Sequence, residues 1–325
     1  MEKKLLIVIA GPTAVGKSAL AAELARRIDG EVVSADSMQV YKYMDIGSAK
    51  VTLEEMLGVP HHMIDVIEPT DSMDAHRYAE MAKECIGGIY KRGHVPILCG
   101  GTGFYIQAVT KDIDFKETHE DEAFREKMRL IAEEEGPEAL YEKLLAADPE
   151  AAAQIHPHNI KRVIRALEFH ALTGEKISGH NLEESRKETP YDLHFFVIED
   201  DRAALYERID ARVDFMMEEG LYDEVAFLKA MGLTKEHVSM QGIGYKEILK
   251  AMDGEYSFEE AVRIIKRDSR HYAKRQLTWF RREKDAVHLL RQDFGGDSMK
   301  LLKEIIRQLE ETTTIRAKEV GNPYE

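Results

Sequence analysis

Apolar runs bounded by glycine or polar turns alternate with one long amphipathic segment over the first third of the chain. The runs at 5–10, 31–36, 61–67 and 95–99 predict strands, and the pattern at 75–91 predicts a helix. Alternation of this kind is typical of a parallel sheet with helices on both faces. We therefore predict an α/β core.

After about Lys111 the pattern becomes purely helical before one more strand returns. Helical periodicity covers 121–135, 137–146 and 159–172, and an apolar run at 193–198 predicts another strand. Because that run resembles a buried strand of the same sheet, a helical insertion is favoured over two successive domains. The remaining predicted elements are helices at 201–219, 221–231, 244–252 and 257–282, and a last strand at 286–290.

These patterns divide the chain into a core, an insertion and a tail. The core is predicted to comprise residues 1–115 and 191–312, and residues 116–190 are predicted to form an all-helical insertion domain. Residues 313–325 are polar, so we expect a frayed tail.

Composition indicates a globular protein without a membrane segment. The apolar content of 44% is ordinary and sufficient for a sizeable core. No stretch approaches the roughly 18 apolar residues of a membrane span, and the first strand begins too early for a signal peptide. We expect a cytoplasmic protein. Its two cysteines, Cys85 and Cys99, predict no disulfide framework and are expected to be buried and unreactive.

Charge is distributed unevenly along the chain, whose formal net charge is −15. Residues 263–284 contain nine basic and two acidic side chains, a local charge of +7, so the remainder carries −22. Binding responds to the local field, and basic side chains interleaved with aromatic ones favour nucleic-acid contact. The alternative is an amphipathic helix with its aromatic residues in the core and its arginines in water.

Residues 11–18 read GPTAVGKS, which matches the phosphate-binding pattern G-x-x-x-x-G-K-S between a predicted strand and a helix-forming segment. Backbone N–H groups and the helix dipole favour an anion there. Lys17 adds a positive charge, and the Ser18 hydroxyl suits Mg²⁺. The sequence therefore predicts a P-loop NTPase-like core that binds a di- or triphosphate, of which a nucleotide such as ATP is only the commonest.

Two further turns follow predicted strands, at the sheet edge where ligands bind in open α/β folds. Asp36 ends the second strand, where a carboxylate can act as a general base, cap a helix or bind Mg²⁺. Thr102 lies among three glycines at 100–103, and its hydroxyl could hold a phosphate oxygen. The strand at 95–99 ends in glycine and not in an acid, which argues mildly against an ATPase.

Two sets of basic residues lie on predicted helices. Arg208 and Arg212 are four residues apart and share a helix face, where they could clamp phosphates or pair with neighbouring acids. Lys161, Arg162 and Arg165 form a stripe that could contact a phosphate backbone, although a solvated face is the more common outcome.

Eight ordered blocks together resemble the tRNA dimethylallyltransferase family, which modifies the adenine 3′ of the anticodon. The resemblance extends from the phosphate loop to about Leu290. Besides GPTAVGKS, the blocks are DSMQVYKYMDIGSAK (36–50), HHMIDVIEP (61–69), GGTGFY (100–105), HPHNIKRVIRALE (156–168), DRAALYERIDARV (201–213), QGIGYKE (241–247) and RHYAKRQLTWFRR (270–282).

The resemblance implies that the loop binds the diphosphate of dimethylallyl diphosphate, not ATP. Asp36 would accept a proton from the adenine exocyclic amine or orient that amine, and Thr102 would help to steady the leaving diphosphate. A small-molecule kinase and a non-catalytic RNA-binding protein are the alternatives. The implied diphosphate-binding residues, with Ser18 as the Mg²⁺ ligand, are Gly11, Thr13, Ala14, Gly16, Lys17, Ser18 and one of Arg208 and Arg212.

The resemblance also implies that the helical insertion grips the anticodon stem-loop. We expect a monomer that contacts no membrane. The target adenine must leave its stack to reach the pocket. The implied tRNA contacts are Ser37, Met38, Gln39, Lys161, Arg162, Arg165, Gln241, Gly242, Gly244, Tyr245, Lys246, Arg270, Lys274 and Arg281.

Overall fold

A computed structural model describes residues 3–115 and 121–320. In these residues six strands form one parallel sheet, in the order β3-β2-β4-β1-β5-β6. The strands are β1 (Lys4–Ala10), β2 (Gly30–Ser34), β3 (His61–His62), β4 (Val95–Gly100), β5 (Tyr191–Glu199) and β6 (Val287–Leu290). The predicted parallel α/β core is confirmed.

Thirteen α-helices occur in the same described ranges. They are α1 (Lys17–Ile28), α2 (Ala75–Arg92), α3 (Gly103–Thr110), α4 (Glu122–Glu134), α5 (Pro137–Ala147), α6 (Pro149–Ala152), α7 (Ile160–Thr173), α8 (Ile177–Arg186), α9 (Arg202–Glu218), α10 (Leu221–Ala230), α11 (Tyr245–Met252), α12 (Phe258–Phe280) and α13 (Ser298–Thr312).

The central strand β1 lies between β4 and β5, and its residues from Leu6 to Ala10 are fully buried. A parallel strand covered on both faces reads as a continuous apolar run, which explains why LLIVIA shows no alternation. Ile7 and Ile9 belong to a core cluster with apolar residues of α1 and α13. Helix α2 packs on β2 and β4, and its Tyr78 hydroxyl donates to the Ser34 carbonyl.

The chain divides into two compact units. One contains the described residues up to Thr110 and those from Pro190 onward, and it holds the whole sheet. The other, Lys111–Thr189, consists of α4 to α8 around its own apolar cluster. Inside this helical unit the fully buried Glu168 accepts hydrogen bonds from Arg125 at 2.8 and 2.9 Å, so its charge is paired.

The predicted strand at 61–67 is much shorter in the structure. Only His61 and His62 pair with β2, because the chain turns at Met63 and Asp65, whose φ angles are 62° and 54°. Ile67 makes an isolated parallel bridge to Tyr41 instead. A short run of apolar residues therefore contained a turn that its hydrophobicity concealed.

Helices α3, α6, α8 and α13 had no counterpart in the predicted elements. The glycines before α3 and the polar composition of α8 concealed these two, whereas α13 buries Leu301, Leu302, Ile305 and Leu309 along one face. The tail beyond α13 also differs from a frayed end over its described part. Ile315 is buried in the core cluster, and the Lys318 N–H donates to the Arg27 carbonyl at 2.8 Å.

The two cysteines lie in different environments. Cys99, at the end of β4, is buried, and burial raises the pKa of its thiol to about 12. Cys85 in α2 is only partly buried, although burial raises the pKa of its thiol as well. The expectation that both are buried therefore holds for Cys99 alone.

Candidate active site

Loops that follow β1, β2 and β4 converge on two adjoining cavities at the carboxyl edge of the sheet, as expected for a parallel α/β fold. The larger cavity has a volume of about 410 Å³ and the smaller one about 70 Å³. Both are lined by Thr13, Asp36, Ser48, Arg212 and Tyr272. Residues of the phosphate loop thus lie in the same space as the carboxylate after β2.

The phosphate loop adopts a strained, anion-binding conformation. Ala14 has a φ of 61° and Gly16 a φ of 92°, so both lie in the left-handed region. For Ala14 this conformation costs of order 1–3 kcal/mol, which the surrounding contacts must offset. Gly16 caps the N-terminus of α1 without a side-chain acceptor, so the first N–H groups of the helix stay available to a ligand.

Lys17 is the first residue of α1, and its Nζ donates to the Pro12 carbonyl at 2.7 Å. Burial lowers the pKa of its ammonium to about 8, and the nearby Cys99 and Asp36 oppose that shift only partly. Both Lys17 and the exposed Ser18 line the smaller cavity. The site therefore holds a cation in an environment that disfavours its charge.

Gln276 of α12 links two of the converging loops. Its Oε1 accepts from the Thr13 N–H at 2.9 Å, and its Nε2 donates to the Gly101 carbonyl at 2.9 Å. A methyl group at Gly101 would overlap the Gln276 Nε2 atom, so a larger residue there would displace the amide that links the loops. The sequence indicated only a basic helix at 263–284. The one signal for this role was a glutamine, Gln276, within that basic segment.

Asp36 has a side chain that is already partly engaged. Its Oδ1 accepts from the Met38 N–H at 2.8 Å and more weakly from the Gln39 N–H at 3.4 Å. Thr102 lies beside it, since the Thr102 hydroxyl oxygen accepts from the Ser37 N–H at 3.1 Å. The carboxylate is thus held at one oxygen, and the residue faces both cavities.

Tyr272 is a further lining residue that sequence reasoning had not singled out for the site. Burial raises the pKa of its hydroxyl to about 12, and the negative charge of Asp36 acts in the same direction. Its hydroxyl is close to Thr102 and Gln276. Tyr272 therefore stays neutral at ordinary pH and can act as a hydrogen-bond donor in the cavity.

The two candidate arginines occupy different positions. Arg212 lines both cavities, and its Nη1 donates to the Thr13 hydroxyl at 3.4 Å. Burial lowers the pKa of Arg212, which Asp36 partly opposes. Arg208 lines neither cavity; its Nε donates to the Ala14 carbonyl at 3.0 Å and its Nη2 pairs with Asp200. The geometry favours Arg212 over Arg208 as a ligand of a bound anion.

The structure separates the residues implied as tRNA contacts in the core unit. Those that line the larger cavity are Ser37, Met38, Gln241, Gly242 and Lys246. Lys274 and Arg281 are exposed at the C-terminal end of α12 and just after it.

Four other residues of this unit that were implied as tRNA contacts are buried or already paired within the protein. Tyr245 is fully buried and donates to Glu224, and the buried Gln39 bonds to Ser34 and the Ala49 carbonyl. Gly244 is buried with a φ of 99° as the cap of α11, so its glycine serves that turn. Arg270 forms a two-bond ion pair with Asp210. Contacts and turns within the fold therefore explain why these four residues occur at their positions.

In the helical unit, Lys161, Arg162 and Arg165 are exposed on α7. Arg162 and Arg165 line a cavity of about 330 Å³ within that unit, and Arg165 also donates to Glu168 at 3.3 Å. The basic stripe is therefore at the surface of its unit, with Arg165 partly neutralised.

The residues around the smaller cavity fit Mg²⁺ better than a metal that needs a cage of protein ligands. No cluster of three His, Cys, Asp or Glu side chains that could hold a metal occurs in the described ranges. Mg²⁺ typically uses one or two protein oxygens together with water and substrate phosphates. The hydroxyl of Ser18 and the carboxylate of Asp36 both line this cavity and could supply them.

The IPP transferase family model matches residues 39–283, about three quarters of the chain. The chain belongs to the IPP transferase family. It is 51% identical over 311 residues to a tRNA dimethylallyltransferase of Lachnoclostridium phytofermentans, covering 96% of this chain and 99% of that relative. The resemblance to tRNA dimethylallyltransferases found in the sequence is confirmed.

Solved structures of family members have the same fold. The tRNA isopentenylpyrophosphate transferase of Bacillus halodurans matches with a TM-score of 0.71 and 44% identity, over 95% of this chain and 98% of that one. A eukaryotic dimethylallyltransferase acting on tRNA matches with a TM-score of 0.80 and 30% identity, over 97% and 81%. In residues 3–115 and 121–320, no helix is long and apolar enough to span a membrane.

Replacing Lys17 by Met should raise the melting temperature at pH 7, because the native state then no longer holds a desolvated ammonium. Between pH 8 and about 10.5 the unfolded Lys17 binds a proton that the folded one has released, so wild-type stability rises with pH there relative to the variant. The gain should therefore shrink over that range. Calorimetry at several pH values measures it, with the exposed Lys303→Met as control; an equal gain at every pH would contradict the assignment.

Proposed function

We propose that the protein transfers a dimethylallyl group from dimethylallyl diphosphate to the exocyclic amine of the adenine 3′ of the anticodon in tRNA, releasing diphosphate. Family membership supports this reaction, and a tRNA dimethylallyltransferase half identical in sequence supports the donor and acceptor. The observation that carries the proposal is that the phosphate loop and Asp36 line the same cavities.

The diphosphate is held at the loop side of the cavities. Backbone N–H groups at the start of α1 bind its oxygens, and the side chains of Lys17 and Arg212 offset its charge. Both cations are desolvated, so an anion placed between them interacts more strongly than it would in water. Mg²⁺ held by Ser18 would add further positive charge on the departing diphosphate.

Asp36 lies where the attacking amine must be placed. The adenine nitrogen forms a bond to the allylic carbon as the carbon–oxygen bond to diphosphate breaks, and the amine loses a proton. The carboxylate can accept that proton or align the N–H bond, since its second oxygen is free of the turn that holds Oδ1. Thr102 and Tyr272, beside it, provide hydroxyl groups for the diphosphate.

The larger cavity provides an apolar wall for the allylic group and the adenine ring. Its apolar lining residues come from several elements of the core unit; they are Tyr41, Met73, Tyr105, Ile209, Val213, Met216, Val238, Ile243 and Ile265. A volume of about 410 Å³ suits a five-carbon chain and one purine, which implies an adenine removed from its stack.

Binding of tRNA would use basic groups that are not already neutralised. Lys274 and Arg281 are exposed near the end of α12, whereas Arg263 and Arg267 on the same helix pair with Glu260 and Asp268. We assign the main phosphate contacts of the core unit to the first pair. In the helical unit, Lys161 and Arg162 are the corresponding candidates.

Asp36→Asn should lower the rate of prenyl transfer about 100-fold or more, because the amide cannot accept the proton. The affinity for tRNA should change less than about twofold, since the amide keeps the turn that Oδ1 makes. Single-turnover kinetics and tRNA binding measure the two effects, and Asp253→Asn on the surface is the control. Full transfer activity in Asp36→Asn would refute the base assignment.

Replacing Lys274 and Arg281 together by Ala should reduce the slope of log K against log salt for tRNA binding by about 1–2. The matched control is Arg263→Ala, on the same helix but paired with Glu260. Binding is measured by titration at several salt concentrations. An unchanged slope in the double variant would place that end of the helix away from RNA.

A further inference from the structure

An ion cluster with a buried carboxylate and two partly exposed arginines adjoins the phosphate loop, and none of its members lines either cavity of the core unit. Asp200 directly follows β5, and its side chain is 1% exposed. Its Oδ2 pairs with Nη2 of Arg208 in α9 and lies 3.7 Å from Nε of Arg291. Arg291 starts a one-turn helix after β6, beyond the residues that the family model matches.

Both guanidinium groups also hold the phosphate loop. Arg208 Nε donates to the Ala14 carbonyl at 3.0 Å, and Arg291 Nη1 donates to the Val15 carbonyl at 3.2 Å. In a trans peptide the carbonyl and the following N–H point in opposite directions. Fixing these two carbonyls therefore directs the N–H groups of Val15 and Gly16 away from the guanidinium groups.

Asp200 is arranged to serve two cations at once. Its Oδ1 accepts from the Asp201 N–H at 2.9 Å and from the Gln292 amide, so this oxygen is fixed. The other oxygen is left to Arg208 and Arg291. Burial and the charge of Arg291 lower the pKa of Arg208, as expected for two like charges that need a shared counter-ion.

The loop needs such a support because its conformation is unfavourable by itself. Ala14 has a left-handed φ of 61°, and conformations of this kind persist where the surrounding structure fixes them. The carbonyl of Ala14 is one of the two that the cluster holds. Restraint and strain therefore occur at the same peptide.

We propose that Asp200 is a positioning residue for diphosphate binding: it orients Arg208 and Arg291 so that they hold the phosphate loop from its carbonyl side. Arg208 then supports the loop and is not itself a ligand of the diphosphate. This inference rests on the proposed function, because it requires that the loop bind a diphosphate.

The test exploits opposite signs of two effects. If Asp200 acted only through its negative charge, Asp200→Asn would tighten binding of an anion. If it positions the arginines, the same change should weaken binding of inorganic diphosphate with Mg²⁺ by about tenfold or more. Calorimetric titration of the wild-type protein and the variant measures this, and hydrogen exchange of residues 11–18 should increase in the variant.

Two controls and one substitute variant keep the outcome decisive. Arg202→Met, an exposed arginine on the same helix that contacts Tyr206, should bind diphosphate as the wild type does. Affinity for tRNA should be unchanged in Asp200→Asn, whereas general unfolding would reduce both affinities. If Asp200→Asn does not fold, Arg291→Lys replaces it, since it keeps the charge but loses the planar fork, and it should also bind more weakly.

Equal or tighter diphosphate binding by a folded Asp200→Asn would overturn the inference while leaving the proposed function intact. If Arg291→Lys has to serve in its place, unchanged binding by that variant has the same meaning. Failure of the wild-type protein itself to bind diphosphate would overturn the proposed function and this inference together.

Discussion

The Gln276 amide holds the carboxyl edge of the sheet together, because backbone polar groups there need hydrogen-bond partners and this side chain satisfies two of them. It accepts from the Thr13 N–H and donates to the Gly101 carbonyl, so it joins the loops after β1 and β4. Thr102 then joins the second of these loops to the turn after β2 through the Ser37 N–H. The cavities exist because these loops are bonded to one another and to α12, whose Tyr272 completes their wall.

The charges around the cavities favour an anionic ligand. Lys17 and Arg212 both have pKa values lowered by burial, so positive charge is held where water stabilises it poorly. An anion between them relieves that cost, and a diphosphate gains charge on one of its oxygens as it leaves an allylic carbon. Burial of these charges therefore lowers the stability of the free protein at the loop, and in the proposed reaction the same charges would favour departure of the diphosphate.

Short sequence patterns predicted the sheet and the position of the candidate site, and the features that they missed have physical reasons. The β1 run, GPTAVGKS and the acid at position 36 are contiguous signals, and they located the edge of the sheet where the cavities lie. Tyr245 was implied as a tRNA contact, but it is buried: Gly47 leaves room for its ring and Glu224 accepts a hydrogen bond from its hydroxyl. Gln276 and Asp200 have hydrogen-bond partners 263 and 92 residues away, and such contacts leave no periodic trace in the sequence.

The proposed reaction requires a diphosphate and an adenine amine to meet beside Asp36, where the two cavities adjoin. Mass spectrometry of unmodified tRNA incubated with the protein, Mg²⁺ and dimethylallyl diphosphate tests it most directly. We expect one added dimethylallyl group on the adenine 3′ of the anticodon, with an equal amount of diphosphate released. Unmodified tRNA in that mixture would contradict the proposed reaction. Transfer of phosphate from ATP to a small molecule in a parallel assay would indicate a kinase instead.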